Sequence, residues 1–145
     1  MDDKDLRTWA DFDEKYDTQK MREIKDVPFG KYIVTVERLA LTKSQKGEPM
    51  VTIWFKVDDS IGEFQEENQR QIIFYNQVIV KDKQRSIAIS IIKKLAKPFS
   101  IPVEFYDFTT LGKLLNELER IVRNTKYYLE YSKSAKGNIT YMVSN

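Results

Sequence analysis

Lys46-Gly47-Glu48-Pro49-Met50-Val51-Thr52-Ile53-Trp54-Phe55-Lys56-Val57 is the stretch on which the fold turns. Gly and Pro close a loop, and apolar residues then fall on every second position: Val51, Ile53, Phe55 and Val57. A period of two is that of a strand with one face on a core. Thr52, Trp54 and Lys56 therefore point outward. A Trp beside a Lys on an exposed strand is unusual unless something covers it. The cover is either a ligand or another part of the chain.

Upstream, Asp26-Val27-Pro28-Phe29-Gly30 is a turn signal, because Pro fixes φ and Gly permits positive φ. A strand follows over residues 31–39, rich in β-branched residues, with Tyr32, Val34 and Val36 on its core face. The loop Lys43-Ser44-Gln45-Lys46-Gly47 leads into the strand over 50–57. Downstream, residues 58–69 are acidic and polar, as a loop would be. A third strand spans 71–79. Its middle is apolar on both faces, so the pattern alone does not fix its register. The more polar set, Gln71, Ile73, Tyr75 and Gln77, is expected to face outward.

The period then changes. Ile87, Ile91 and Leu95 stand four apart, as do Ala88, Ile92 and Ala96, which predicts a helix over 83–97, stopped by Pro98. A second helix, capped by Thr109 or Thr110, carries the stripe Leu111, Leu114, Leu115, Leu118, Ile121 and Val122. Two short strands, 126–132 and 138–143, close the chain around the loop Lys133-Ser134-Ala135-Lys136-Gly137. The expected class is mainly β (α+β): a five-stranded OB-like barrel with helices between strands three and four. The same element order also fits a generic α+β sandwich. The expected organisation is an acidic N-terminal arm over 1–27 and an OB-like domain over 28–145.

Composition narrows the chemistry. The 145 residues contain no Cys and no His. Disulfides, zinc thiolates, Cys nucleophiles and the usual general base go together. No catalytic motif emerges, and no cofactor or metal is expected; the acids Asp58, Asp59 and Glu63 are the weak candidate for a chelating loop. No run approaches the ~20 apolar residues of a membrane helix. The acidic start Met1-Asp2-Asp3-Lys4-Asp5 is unlike a secretory signal, so the cytoplasm is expected. Net charge is +2. Residues 1–27 hold nine acids to six bases, so the remaining body is the basic part.

A five-residue string recurs with one position changed. Residues 43–47 read Lys-Ser-Gln-Lys-Gly, and residues 133–137 read Lys-Ser-Ala-Lys-Gly. In an OB barrel the loops joining strands one to two and four to five flank the ligand face. Lys43, Lys46, Lys133 and Lys136 are therefore candidate phosphate contacts, although Lys, Ser and Gly are also ordinary turn residues. Trp54 and Tyr75 are candidate stacking residues, with Lys56 and Arg70 near the backbone of a bound strand. Lys81, Lys83, Arg85, Lys93, Lys94 and Lys97 add a basic helix region, read either as a path for phosphates or as a solvated face.

Three strings taken together, Val27-Pro28-Phe29-Gly30-Lys31-Tyr32, residues 46–57 as quoted above, and Ile72-Ile73-Phe74-Tyr75-Asn76-Gln77-Val78-Ile79, resemble a family of small phage proteins from Gram-positive hosts. That family is catalogued as a domain of unknown function. Its members are encoded among early replication and recombination genes, and some are described as single-stranded DNA-binding proteins. The resemblance covers roughly residues 27–145 and implies a role on DNA intermediates.

The expected function is non-catalytic binding of single-stranded DNA in phage replication or recombination, alongside phage proteins of those pathways. The alternative is a protein-interaction module for a phage or host replication factor. A magnesium-dependent nuclease is the weakest reading. Strand edges leave a homo-oligomer open.

Overall fold

A computed structural model of the protein describes residues 27–60 and 71–144. Five strands appear in the expected order: β1 (Gly30–Lys43), β2 (Pro49–Ser60), β3 (Ile72–Val78), β4 (Tyr127–Lys133) and β5 (Ile139–Ser144). Between β3 and β4 lie two helices, α1 (Asp82–Ala96) and α2 (Phe108–Val122), with a short 3-10 turn at Lys97–Phe99. All pairings are antiparallel, and the sheet runs β3-β2-β1-β4-β5. This is a mainly β, α+β architecture built on an open five-stranded sheet.

β1 joins the two halves. Residues 30–34 pair with β4, while residues 32–43 pair with β2. It bulges between Val36 and Arg38. The bulge resets the inside–outside alternation: Tyr32, Val34 and Val36 face in before it, and Leu39 faces in after it. The Leu39 N–H donates to Glu119 Oε2 of α2 at 2.9 Å, so the helix satisfies a backbone donor at the distorted strand.

β2 follows the period of two. Val51, Ile53, Phe55 and Val57 are buried in the core. Ile91, Ile92 and Leu95 of α1 meet this core, as do Leu111, Leu115, Leu118 and Val122 of α2. Ile87 and Ile121, expected within the apolar stripes, sit at the solvent margin instead. α2 is capped by Asp107, not by Thr109 or Thr110. The Asp107 carboxylate accepts from Thr110 N at 2.8 Å, and Thr110 turns its hydroxyl back on the cap. Those bonds hold the Asp107 carboxyl below the usual carboxylate range.

The sheet bends until its two end strands approach. The Tyr141 hydroxyl of β5 donates to the Phe74 carbonyl of β3 at 3.0 Å. The Tyr75 and Tyr141 rings meet edge to face at 4.9 Å, and Tyr131 lies 5.5 Å beyond. α1 touches both end strands. Among the described residues no hydrogen-bonded ladder joins β3 to β5.

Buried tyrosines tie the layers together. The Tyr127 hydroxyl donates to the Leu95 carbonyl of α1 at 2.7 Å inside the core. Burial pushes it up to about 12, and burial with the neighbouring Tyr131 does the same for Tyr141. Both are raised above the ordinary 10.0, so the fold favours their neutral forms. Their contribution is complete below pH 10 and is lost as pH climbs toward 12. Melting temperature is therefore expected to fall across that window. Tyr127→Phe leaves the Leu95 carbonyl without its partner, and should lower stability by ~1–2 kcal/mol in urea denaturation at pH 7.

Candidate nucleic-acid interface

The outward face of β1, β2 and β3 is built from aligned rows. Arg38 stands opposite Trp54, and Trp54 opposite Phe74. The Arg38 guanidinium carbon lies 5.2 Å from the Trp54 ring centre, a cation–π geometry. Phe74 meets Trp54 edge to face at 5.5 Å. Neither Arg38 nor Trp54 is a free group. One step along, Ala40, Thr52 and Asn76 form the next row. Thr52 donates to Asn76 Oδ1 at 3.0 Å and shares a 2.7 Å bond with Thr42. That polar chain explains why an outward Thr is tolerated almost fully buried.

These rows floor a groove of ≈ 710 Å³. The β1–β2 hairpin forms its wall and contributes Lys43 and Lys46. Among the described residues Glu48 is the one acid lining it, against three cations. The groove thus offers ring faces and edges, amide and hydroxyl groups, and positive charge on one side.

The expected residues divide. Lys43, Lys46 and Trp54 come together here. Lys56 lies on the same outward face, half-buried, opposite Ile72 and outside the groove lining. Lys133 and Lys136 are exposed on the β4–β5 hairpin, and no residue of that hairpin lines the groove. β1 separates the two hairpins: one follows Lys43, and the other lies beyond Gly30, which pairs with Tyr131. Arg70 and Glu63 lie outside the described residues. Asp58 pairs with Lys126 at 4.0 Å, and among the described residues no acid cluster fit for a metal ion occurs.

Tyr75 departs from the sequence expectation of an outward ring: it is 3% exposed and faces the core. The β2–β3 register sets it opposite Ile53, an inward residue, so Phe74 takes the outward place, 44% exposed. Sequence reasoning missed Phe74, Arg38 and Asn76. Phe74 carried a signal, since it pairs with Trp54 once the register is known. Arg38 did not, because the bulge that turns it outward is invisible to a simple period.

The repeated string has a structural explanation. Ser44 N donates to Glu48 O, Gly47 N to Ser44 O, and Glu48 N to Ser44 Oγ. Ser134, Gly137 and Asn138 repeat the same three bonds. Gly47 and Gly137 hold φ of 81° and 88°, the left-handed region that favours glycine. Ser and Gly are thereby used by the turn, while both lysines of each loop project to solvent.

The family model described as "Protein of unknown function (DUF669)" matches residues 14–141. The chain belongs to that family. A search of curated proteins gives no match. Membership fixes the resemblance drawn from the sequence at the level of a family without assigned function. No described helix is long and apolar enough to cross a membrane.

The buried Tyr75 hydroxyl has no hydrogen-bond partner. An unpaired buried hydroxyl is costly, so Tyr75→Phe should raise stability by ~1 kcal/mol. Tyr75→Ala should lose ~3–5 kcal/mol as a cavity opens, while Phe74→Ala, on the outward face, should lose far less. Denaturant midpoints of the three variants test the facing of β3.

Proposed function

We propose that the protein holds single-stranded DNA in the groove over β1–β3 and does no chemistry on it. The observation that carries the reading is the row Arg38–Trp54–Phe74 beside the lysine-bearing β1–β2 hairpin. Rings accept bases of any sequence by stacking, and the guanidinium and ammonium groups suit phosphates. The Asn76 amide, whose Oδ1 is held by Thr52, has its N–H groups left for a base edge. Lys133 and Lys136 are assigned to a strand continuing past the groove, and Lys56 to its flank.

The same reading takes the sheet as an OB-like barrel. Its support is the meeting of the two end strands through Tyr141 and Phe74, with α1 between strands three and four lying against both. OB barrels bind strands on the face where this groove lies. The setting implied by the resemblance, replication or recombination intermediates of a phage in the host cytoplasm, agrees with such an activity.

The test is fluorescence anisotropy of a labelled oligo-dT of ~30 nucleotides across a salt series, with duplex DNA as competitor. Trp54→Ala and Phe74→Ala should each weaken binding by ~1–3 kcal/mol. Lys43→Gln and Lys46→Gln should each reduce the slope of log affinity against log salt by about 0.7. Undiminished affinity in both ring variants would discard the groove. Absence of binding at low salt would discard the function and favour a protein partner.

A further inference from the structure

A second concave surface lies away from the strands. α1 supplies Lys93, Lys94 and Lys97 along one edge of a groove of ≈ 990 Å³, and Ile89, Ile101 and Val103 contribute its apolar lining. Serines complete it, and among the described residues neither an acid nor an aromatic ring lines it. A bare nucleic-acid strand would find cations here but nothing to stack on.

The strap that leaves this groove carries the complementary groups. Over residues 101–106 the odd positions, Ile101, Val103 and Phe105, pack toward the core, while Pro102, Glu104 and Tyr106 turn out. Tyr106 is 93% exposed, and Phe108 beside it is 44% exposed. Its backbone is not loose. Tyr106 N and Asp107 N both donate to Thr110 Oγ1, at 2.9 and 3.0 Å. A fully presented Tyr on a held backbone, between Glu104 and Asp107, has the make-up of an interface anchor, with little backbone left to order on binding.

We propose that the strap of one copy docks in the lysine groove of a second copy, and reciprocally, to form a two-fold dimer. Tyr106 enters the apolar lining, and Glu104 and Asp107 face Lys93, Lys94 and Lys97. Because Ile101 and Val103 belong to both strap and groove, the two patches adjoin on one side of the molecule. Adjoining complementary patches are what a self-complementary two-fold contact requires. The contact is one short strap in one groove per copy, and the dimer proposed is of the weak, concentration-dependent kind. The groove is separate from the one over β1–β3, and the proposal does not rest on DNA binding.

Sedimentation velocity of the full chain, from about 5 to 200 µM at low and high salt, reads this directly. The expected result is a mass rising from 17.2 kDa toward twice that value, less readily at high salt. Tyr106→Ser and Lys94→Glu should each raise the dimer dissociation constant by about tenfold or more, with unchanged melting temperature. The double variant Lys94→Glu with Glu104→Lys should recover association. A monomer throughout the range overturns the proposal, and so does a dimer indifferent to both single changes. Loss of oligo-dT affinity in Lys94→Glu with association intact would assign the groove to nucleic acid and likewise overturn it.

Discussion

The bulge in β1 is the constraint on which the rest depends. A single strand of 14 residues has to serve both halves of the sheet, pairing with β4 at its start and with β2 along its length. A regular strand would keep one alternation and one direction throughout. One extra residue at Glu37 bends it and switches the alternation, so Val36 and Leu39 can both reach the core. The same switch turns Arg38 outward, next to Trp54. Core and groove are thus two results of one irregularity. The cost of the irregularity, a strand donor without a ladder partner, is offset by Glu119 on α2.

The edges of the sheet follow from that bend. A flat antiparallel sheet of five strands would leave β3 and β5 as distant, unpaired templates. Here they come close enough for a tyrosine hydroxyl to reach a backbone carbonyl, and three tyrosine rings fill the space between them. Side chains do there what backbone ladders do elsewhere in the sheet. The seam is apolar enough to raise the Tyr141 hydroxyl and to leave that of Tyr75 unmatched.

Element order was legible because each element has a strong local cause. The period of two in β2, the four-residue spacing in α1 and the leucine stripe of α2 each speak for themselves. Half of the groove was legible for the same reason, since Trp54 and the first hairpin lysines follow from β2 and its turn. The facing of β3 was not. Ile72-Ile73-Phe74-Tyr75 is apolar on both sides, and only the ladder with β2 decides which ring goes in. Arg38 depended on a bulge, which no periodic pattern encodes. The cap of α2 is ambiguous in sequence because Thr109 and Thr110 are also good caps; Asp107 takes the place, and Thr110 returns its hydroxyl to it.

The twin hairpin turns have a consequence for what this sequence can tolerate. Each turn is closed by a serine at its first position and a left-handed glycine at its fourth, with the same three bonds in two unrelated strand contexts. The turn therefore carries its own folding instructions. The two positions between serine and glycine are under no geometric demand from it. Charge there can be added, removed or inverted by single substitutions without touching the core. Surface potential at the two hairpins is thus physically separate from architecture, and the first can change at these positions while the second stays fixed.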